Sequence, residues 1–554
     1  MKLRYATFVL LMTAGLTLTA QTRPAPPLAQ RPAPMARTTP SLVVLVVVDQ
    51  FRGDYIQRYG HTWTKGLRRL VDHGAYFPLA AYPYSGTLTC AGHATIGTGA
   101  FPRTHGMIAN AWYDRDSKKS TACTADASAV SVPFGGRAGI EHHSAKWLLT
   151  TTFADELRNQ LPITPKITSV SLKARSAIGM AGHGGDLVMW EEDDGTWATS
   201  TAFAKTARAD VDAYAKAHPV DAQYGRVWDR LLPPAAYLFP DDSIGEPKYA
   251  MGTREFPHAL TRAEGKPTPD FVNDWEKSPF SDEALADLAL TFSEGFGTGA
   301  GTDMLAVSFS ALDLVGHSFG PKSQEVQDVL ARLDVQIGRL FDALDKRVGA
   351  GRYVVGFSAD HGVAPMPERT TDAGLDGGRF TAGSVNTRIV EAWKTIASDG
   401  ISPIASSTGT DIYFTPAALA TIHASPAARQ AVANAALSAP GIARLYWGDD
   451  LTTSAAGDDQ IKRSAVLSFV AGRSADLILI PKQYWMVGSS GTTHGTPYVY
   501  DQRVPVIMMG YGIRPGRYLT TATPADIAPT LAWLTGITLP RADGRPLAEA
   551  LVVR

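Results

Sequence analysis

The chain has 554 residues, 45% of them apolar and 19% charged, with a formal net charge of -1 at pH 7. That is the profile of a globular protein with a sizeable core, long enough for one large domain with insertions or for two domains. It has neither the basic excess that points to nucleic acid nor the acidic excess of a solvating tail.

Residues 1–20 read as a signal peptide. Lys2 and Arg4 give a positive start, Phe8 to Leu18 is apolar apart from its threonines, and Ala20 is a small residue at a cleavage point. The apolar run is about half the roughly 20 residues a bilayer span requires. No later stretch is long and apolar enough to cross a membrane, so export to the periplasm or beyond the cell is expected. Residues 21–40, rich in Pro, Ala and Thr, read as a flexible linker. Residues 41–554 are expected to form the functional domain. The two cysteines are Cys90 and Cys123. Export permits a disulfide, but their spacing does not establish one, and a buried free thiol at Cys90 is equally compatible.

Short runs rich in Val, Ile and Leu predict buried parallel strands at Leu42 to Val48, Ile167 to Leu172, Met304 to Phe309 and Tyr353 to Phe357. Val504 to Met509 is a further candidate. Lys322 to Lys346 predicts a helix, because Val326, Leu330, Leu333, Ile337, Leu340 and Leu344 recur at alternating steps of four and three. Strands alternating with helices predict an α/β domain with a mostly parallel sheet. The segments near 190–302 and 374–468 show little of this pattern and are expected to be insertions forming cap-like lobes around the sheet.

Polar residues cluster just past the strand runs: Asp49 after the first, Lys173 and Arg175 after the second, Asp313 and His317 after the third, Asp360 and His361 after the fourth. Open α/β sheets bind ligands at the carboxyl ends of their strands. Asp313 and His317 are four residues apart, which places both on one face of a helix. Asp360-His361-Gly362 sets two ligand types side by side, and Gly491-Thr492-Thr493-His494-Gly495 adds a histidine in a glycine-rich loop. Singly, each has an ordinary reading as a capped turn or a packing residue. Together with Asp49 they point to metal, because zinc accepts imidazole nitrogen and carboxylate oxygen. Two such sites about 4 Å apart can hold the attacking and leaving oxygens of an in-line phosphoryl transfer.

Ser85 to Thr95 reads as a loop entering a short helix. A hydroxyl at a helix start sits where backbone N–H groups favour an anion, although Thr89 could simply cap the helix, and Thr87 and Thr95 compete with it on composition. His93 and His105 are expected to play supporting roles. His183 and Asp186 are candidates to line the cleft.

Thr89-Cys90-Ala91-Gly92-His93-Ala94-Thr95, with Gly97-Thr98-Gly99 and His105-Gly106, resembles the nucleotide pyrophosphatase/phosphodiesterase branch of the alkaline phosphatase superfamily. Asp49, Asp313/His317, Asp360/His361 and His494 match that superfamily's metal pattern. Asn110 and Lys173-Ala174-Arg175 narrow the resemblance to the PafA-type bacterial alkaline phosphatases, across most of Leu42 to Leu534. The resemblance implies an alkaline phosphatase-like α/β sandwich and two zinc ions. Asp313, His317 and His494 would hold one ion. Asp49, Asp360 and His361 would hold the other, with the oxygen of Thr89. It implies Thr89 as nucleophile, and Asn110, Lys173 and Arg175 as contacts of the phosphoryl oxygens. The diesterase branch has Asn where this chain has Gly92, which leaves the bracing of the Thr89 helix open.

Charge favours monoesters. Two zinc ions are matched by three aspartates and a Thr89 alkoxide, so Lys173 and Arg175 remain to meet a dianion. A phosphodiester monoanion would leave one positive charge unmatched in a desolvated site. The alternative is a nucleotide pyrophosphatase/phosphodiesterase on the same scaffold. A sulfatase would need a Cys-x-Pro-x-Arg-like setting, and Cys90 is followed by Ala91 and Gly92. The expected partners are small phosphate monoesters, with no nucleic acid. A monomer is compatible with this reading.

Overall fold

Leu42–Val48 forms strand β1, and all seven of its residues are buried. A strand buries every side chain only where both its faces are covered. The computed structural model, which describes residues 39–136, 141–250, 252–397, 400–453 and 457–552, has that arrangement. Leu42, Val44, Val46 and Val48 pack into one core cluster, and Val43, Leu45 and Val47 into another on the opposite face. The expected signal peptide, and all but the last two residues of the Pro-rich linker, lie outside the described residues.

β1 belongs to a ten-stranded sheet with β2 (Ala75–Phe77), β3 (Ser131–Pro133), β4 (Ile167–Ser171), β5 (Leu187–Glu191), β6 (Trp197–Ser200), β7 (Asp303–Phe309), β8 (Tyr353–Ser358), β9 (Val506–Gly510) and β10 (Gly516–Arg517). The order is β10-β2-β9-β8-β1-β7-β4-β5-β6-β3. The inner strands β8, β1, β7, β4 and β5 are parallel. Antiparallel pairs flank them at β8–β9, β9–β2, β5–β6 and β6–β3. β9 therefore departs from the expectation of a further parallel strand. Its residues are buried whichever way it runs, so composition carries no direction.

Helices cover both faces. Helix α1 (Thr89–Thr98) and helix α2 (Ala174–Ala181) contribute Ile96 and Met180 to the cluster that holds Val43. Helix α3 (Ala311–Phe319) and the long helix α4 (Gln324–Arg347) lie on the other face. The six-residue stripe read from the sequence of α4 is buried in that second cluster. Ser323 starts the helix by accepting from the Val326 N–H.

Two strands around the start of the 190–302 segment are absent from the sequence expectation. β5 and β6 extend the main sheet, and β6 reads Trp-Ala-Thr-Ser, too short and polar to register as a buried strand. Further on, Trp228, Tyr249, Phe256 and Phe271 join the same core cluster as β1. Trp228 Nε1 donates to Asp328 Oδ2 on α4 (2.7 Å). The 374–468 segment is different. Its strands Ile404–Ser407, Asp411–Phe414 and Ile442–Trp447 combine with Leu477–Pro481 into a separate four-stranded antiparallel sheet. That sheet has its own core, including Val385, Ile389, Trp393, Ile412, Val432 and Leu477. Half-exposed antiparallel strands do not form long apolar runs, which is why the segment looked poor in strands.

Cys90 and Cys123 form a disulfide. It joins the first turn of α1 to the end of the ribbon Ala111–Asp114/Lys119–Ala122. Asn110 lies beside it: its carbonyl accepts from Cys123 N–H and its side-chain oxygen accepts from Cys90 N–H, both at 2.9 Å. Closing a loop of this length contributes about 3–4 kcal/mol. Cys123→Ser should therefore lower the free energy of unfolding by about that amount in a denaturant titration. An unchanged midpoint would show that the bond contributes nothing.

Candidate active site

The parallel strands deliver their exits to one rim. Asp49 follows β1, Lys173 lies just past β4, Asp313 is in the first turn of α3 after β7, and Asp360 and His361 follow β8. Because β8, β1, β7 and β4 are consecutive in the sheet, residues more than 300 positions apart become neighbours. Asp49, Asp360 and His361 place their ligand atoms within 4.8 Å of one another, and so do Asp313, His317 and His494. His494 reaches the rim from the loop that precedes β9.

The imidazoles are oriented alike. His361 Nδ1 lies 2.9 Å from Gly362 O, His317 Nδ1 2.7 Å from Thr492 O, and His494 Nδ1 2.7 Å from Thr87 O. A carbonyl only accepts, so each Nδ1 carries the hydrogen, and in the neutral ring each Nε2 keeps its lone pair. Those lone pairs face carboxylates. His361 Nε2 is 3.3 Å from both Asp49 Oδ1 and Asp360 Oδ2, and His317 Nε2 is 3.2 Å from Asp313 Oδ1. Lone pair facing lone pair is repulsive unless a cation lies between them. Asp49 Oδ1 and Asp360 Oδ2 are moreover buried with no hydrogen-bond partner. This donor set fits divalent metal.

The charges agree. Burial, and then Asp49 beside it, push the Asp360 carboxyl well above its usual range. Burial alone would raise Asp313 too, but Lys173 holds it well below. Lys173 Nζ bridges Asp49 Oδ2 and Asp313 Oδ2 at 2.6 Å each, linking the two residue groups. Burial opposes its charge, and Asp313 and Asp49 raise its pKa nonetheless. Lys173 was expected to face phosphoryl oxygens; here it spans the carboxylates. Arg175 sits in the first turn of α2 with its Nε buried and unpartnered.

Thr89 is the first residue of α1 and is 2% exposed, and its Oγ1 lies 3.4 Å from His361 Nε2. The question of how this helix is braced has a steric answer. A Cβ on Gly92 would come within 2.2 Å of Asp360 O, so no side chain fits where the diesterase branch has Asn. The helix packs directly on the Asp360 backbone instead. His93 adds a strut: Nδ1 donates to Thr89 O (2.9 Å), and Nε2 accepts from Ser308 Oγ at the end of β7 (2.7 Å). Burial lowers its pKa to about 4, so it works as a neutral ring. His105 accepts from Met107 N–H and donates to Thr95 Oγ1, which also bonds Tyr84. His93 and His105 both support the helix.

Gln50 was missed in the sequence. Fully buried, it donates from Nε2 to Asp313 Oδ1 (2.6 Å) and from its backbone N–H to Asp360 Oδ1 (3.1 Å), joining the two groups opposite Lys173. It holds φ at 64°, a strained value for a residue with a side chain. A Cβ on Gly316 would occupy the place of Gln50 Oε1. No sequence pattern marks such a residue beyond its position next to Asp49. His183 and Asp186, by contrast, are not in the cleft. His183 pairs with Asp155, and Asp186 accepts from Ile167 N–H at the amino end of β4, the opposite rim of the sheet.

The family model for type I phosphodiesterase / nucleotide pyrophosphatase matches residues 43–499. Alkaline phosphatase PafA of Elizabethkingia meningoseptica is 30% identical over 527 residues, covering 92% of this chain and 94% of that protein. Alkaline phosphatase PhoK of Sphingomonas sp. is 30% identical over 550 residues, 93% of this chain and 92% of that one. The crystal structure of wild-type PafA superposes with a TM-score of 0.84, at 30% identity, over 93% of this chain and 100% of that chain. The chain therefore belongs to the type I phosphodiesterase / nucleotide pyrophosphatase family and, within it, to the PafA-type alkaline phosphatases, a group of metal-dependent hydrolases.

Gln50→Ala should loosen both carboxylate groups and weaken retention of a divalent metal by about 10- to 100-fold, read by chelator competition with the far-ultraviolet circular dichroism unchanged. Undiminished retention would reduce Gln50 to a packing residue.

Proposed function

We propose that this enzyme hydrolyses phosphate monoesters at a two-zinc site, with Thr89 as nucleophile and inorganic phosphate as product. The observation that carries the reading is the position of Thr89 Oγ1, buried at a helix start and 3.4 Å from the Nε2 lone pair of His361, beside two groups of carboxylate and imidazole. Asp49, Asp360 and His361 would hold one zinc, and Asp313, His317 and His494 the other. When bound, the pair supplies positive charge at the attacking and leaving oxygens.

The rest follows from the chain's own groups. Thr89 Oγ1 displaces the alcohol from phosphorus, and water then releases phosphate from the threonine. The amino end of α1 presents backbone N–H groups and the positive end of its dipole to the phosphoryl group. Asn110 is held by Cys90 N–H through its oxygen, which leaves its NH₂ to donate to a phosphoryl oxygen. Lys173, which bridges Asp49 and Asp313, and Arg175, with an unpartnered Nε, are the cations available to the remaining oxygens. Charge in a loose transition state spreads over those oxygens, where fixed donors act most strongly. The same two cations favour a dianionic monoester over a monoanionic diester. A pyrophosphatase/phosphodiesterase activity is the alternative on this scaffold. The Cys90–Cys123 disulfide supports a periplasmic or secreted location, because such bonds persist in oxidising compartments.

Thr89→Ala should keep its zinc, read by metal analysis, and lose turnover by on the order of 10,000-fold; near-normal rates would rule Thr89 out as nucleophile. Lys173→Ala with Arg175→Ala should lower monoester kcat/KM by about 100- to 1,000-fold and diester kcat/KM far less. An equal fall for both substrates would remove the charge argument.

A further inference from the structure

A cavity of about 400 Å³ opens beside Asn110 and His494. One wall comes from the main domain. The other is the separate four-stranded sheet, which contributes Asp411, Tyr413, Ile478 and Leu479. An in-line displacement puts the leaving oxygen on the far side of phosphorus from Thr89. Thr89 lies against His361, and His494 belongs to the other residue group, so the departing alcohol points toward the wall that His494 shares with this cavity.

The lining is selective in character. Tyr413, Ile478 and Leu479 offer apolar surface. Apart from His494, the one ionisable acid or base among the described lining residues, the tyrosine phenol aside, is Asp411. Its backbone N–H is tied to Thr408 Oγ1, which fixes the start of its strand. Among the described residues no lysine or arginine pairs with its carboxylate. Burial pushes that carboxyl up to about 6, which leaves it ionised under alkaline conditions. An anion without a facing cation, next to a site that receives a phosphoryl dianion, discriminates by charge.

We propose that this cavity is the leaving-group site and that Asp411 sets its preference: it accepts alcohols with an apolar body carrying a cation or a hydroxyl donor, and disfavours those carrying a further anion. The proposal rests on the monoesterase reading above. It assigns the separate sheet a role in substrate choice, as the wall that carries the selecting charge.

The test uses zinc-loaded enzyme at alkaline pH with two phenyl phosphates, one bearing a para trimethylammonium group and the other a para carboxylate. Their leaving groups differ in reactivity, so the quantity read is the change in their kcat/KM ratio between wild type and variant. Asp411→Asn should shift the ratio toward the carboxylate substrate by about tenfold. Thr410→Lys, which places a cation in the same cavity, should shift it further in that direction. Inhibition by inorganic phosphate, which reads the phosphoryl site, should not weaken. A ratio unmoved in both variants overturns the proposal, as does a shift accompanied by an equal loss of phosphate inhibition, which would mark a distorted phosphoryl site. If zinc-loaded wild type hydrolyses no monoester, the phosphatase reading fails and takes this proposal with it; hydrolysis with an unmoved ratio sinks this proposal alone.

Discussion

Three buried carboxylates at one rim of a sheet repel one another, and much of the surrounding architecture answers that repulsion. Asp49, Asp313 and Asp360 are each at most 3% exposed. Within the chain, Lys173 spans two of them, and Gln50 donates to Asp313 and Asp360. Three imidazoles then turn lone pairs, not hydrogens, toward the same acids, because backbone carbonyls take their Nδ1 hydrogens. That choice would be costly in a purely structural cluster, where N–H donors would serve better. It makes sense where cations complete the site. The rigidity of the parallel strands is what keeps the acids from moving apart.

The second requirement is close approach. α1 must bring Thr89 against His361, and it does so by removing side chains. Gly92 lets the helix touch the Asp360 backbone. A Cβ on Gly97 would come within 2.2 Å of Gly179 O, so α1 and α2 also cross at backbone contact. Since α2 begins just after Lys173, this crossing fixes the elements that carry Thr89 and Lys173 relative to each other. The disulfide at Cys90 and the Asn110 amide then attach a third segment to the same helix turn. Position in this site is thus set largely by backbone packing, which has fewer rotamers to lose than long side chains.

The two segments that interrupt the strand–helix alternation play different parts. Residues of the earlier one complete the main sheet and feed its aromatic side chains into the central core. The later one builds a separate core and sheet, whose two middle strands wall the cavity beside His494. A scaffold of this kind can hold the rim residues constant while the wall beside them varies.

Much of this was legible in the chain itself. Continuous runs such as Leu42–Val48 announce doubly covered strands, and the stripe on α4 announces a helix, since periodicity is a property of neighbours along the sequence. Most of the residues gathered at the rim were legible as a set because they follow strand exits, with His494 marked instead by its glycine-rich loop. Other features were not. Gln50 carries no pattern, β6 is too short and polar to register, and the direction of β9 leaves no mark on composition. The pairing of Cys90 with Cys123, the bridging pose of Lys173 and the ring orientations of His317 and His494 depend on contacts between segments tens to hundreds of residues apart. Local sequence determines which elements form and which faces they bury; only packing among them decides which polar atoms meet, because a contact's energy depends on distance in space and not on separation along the chain.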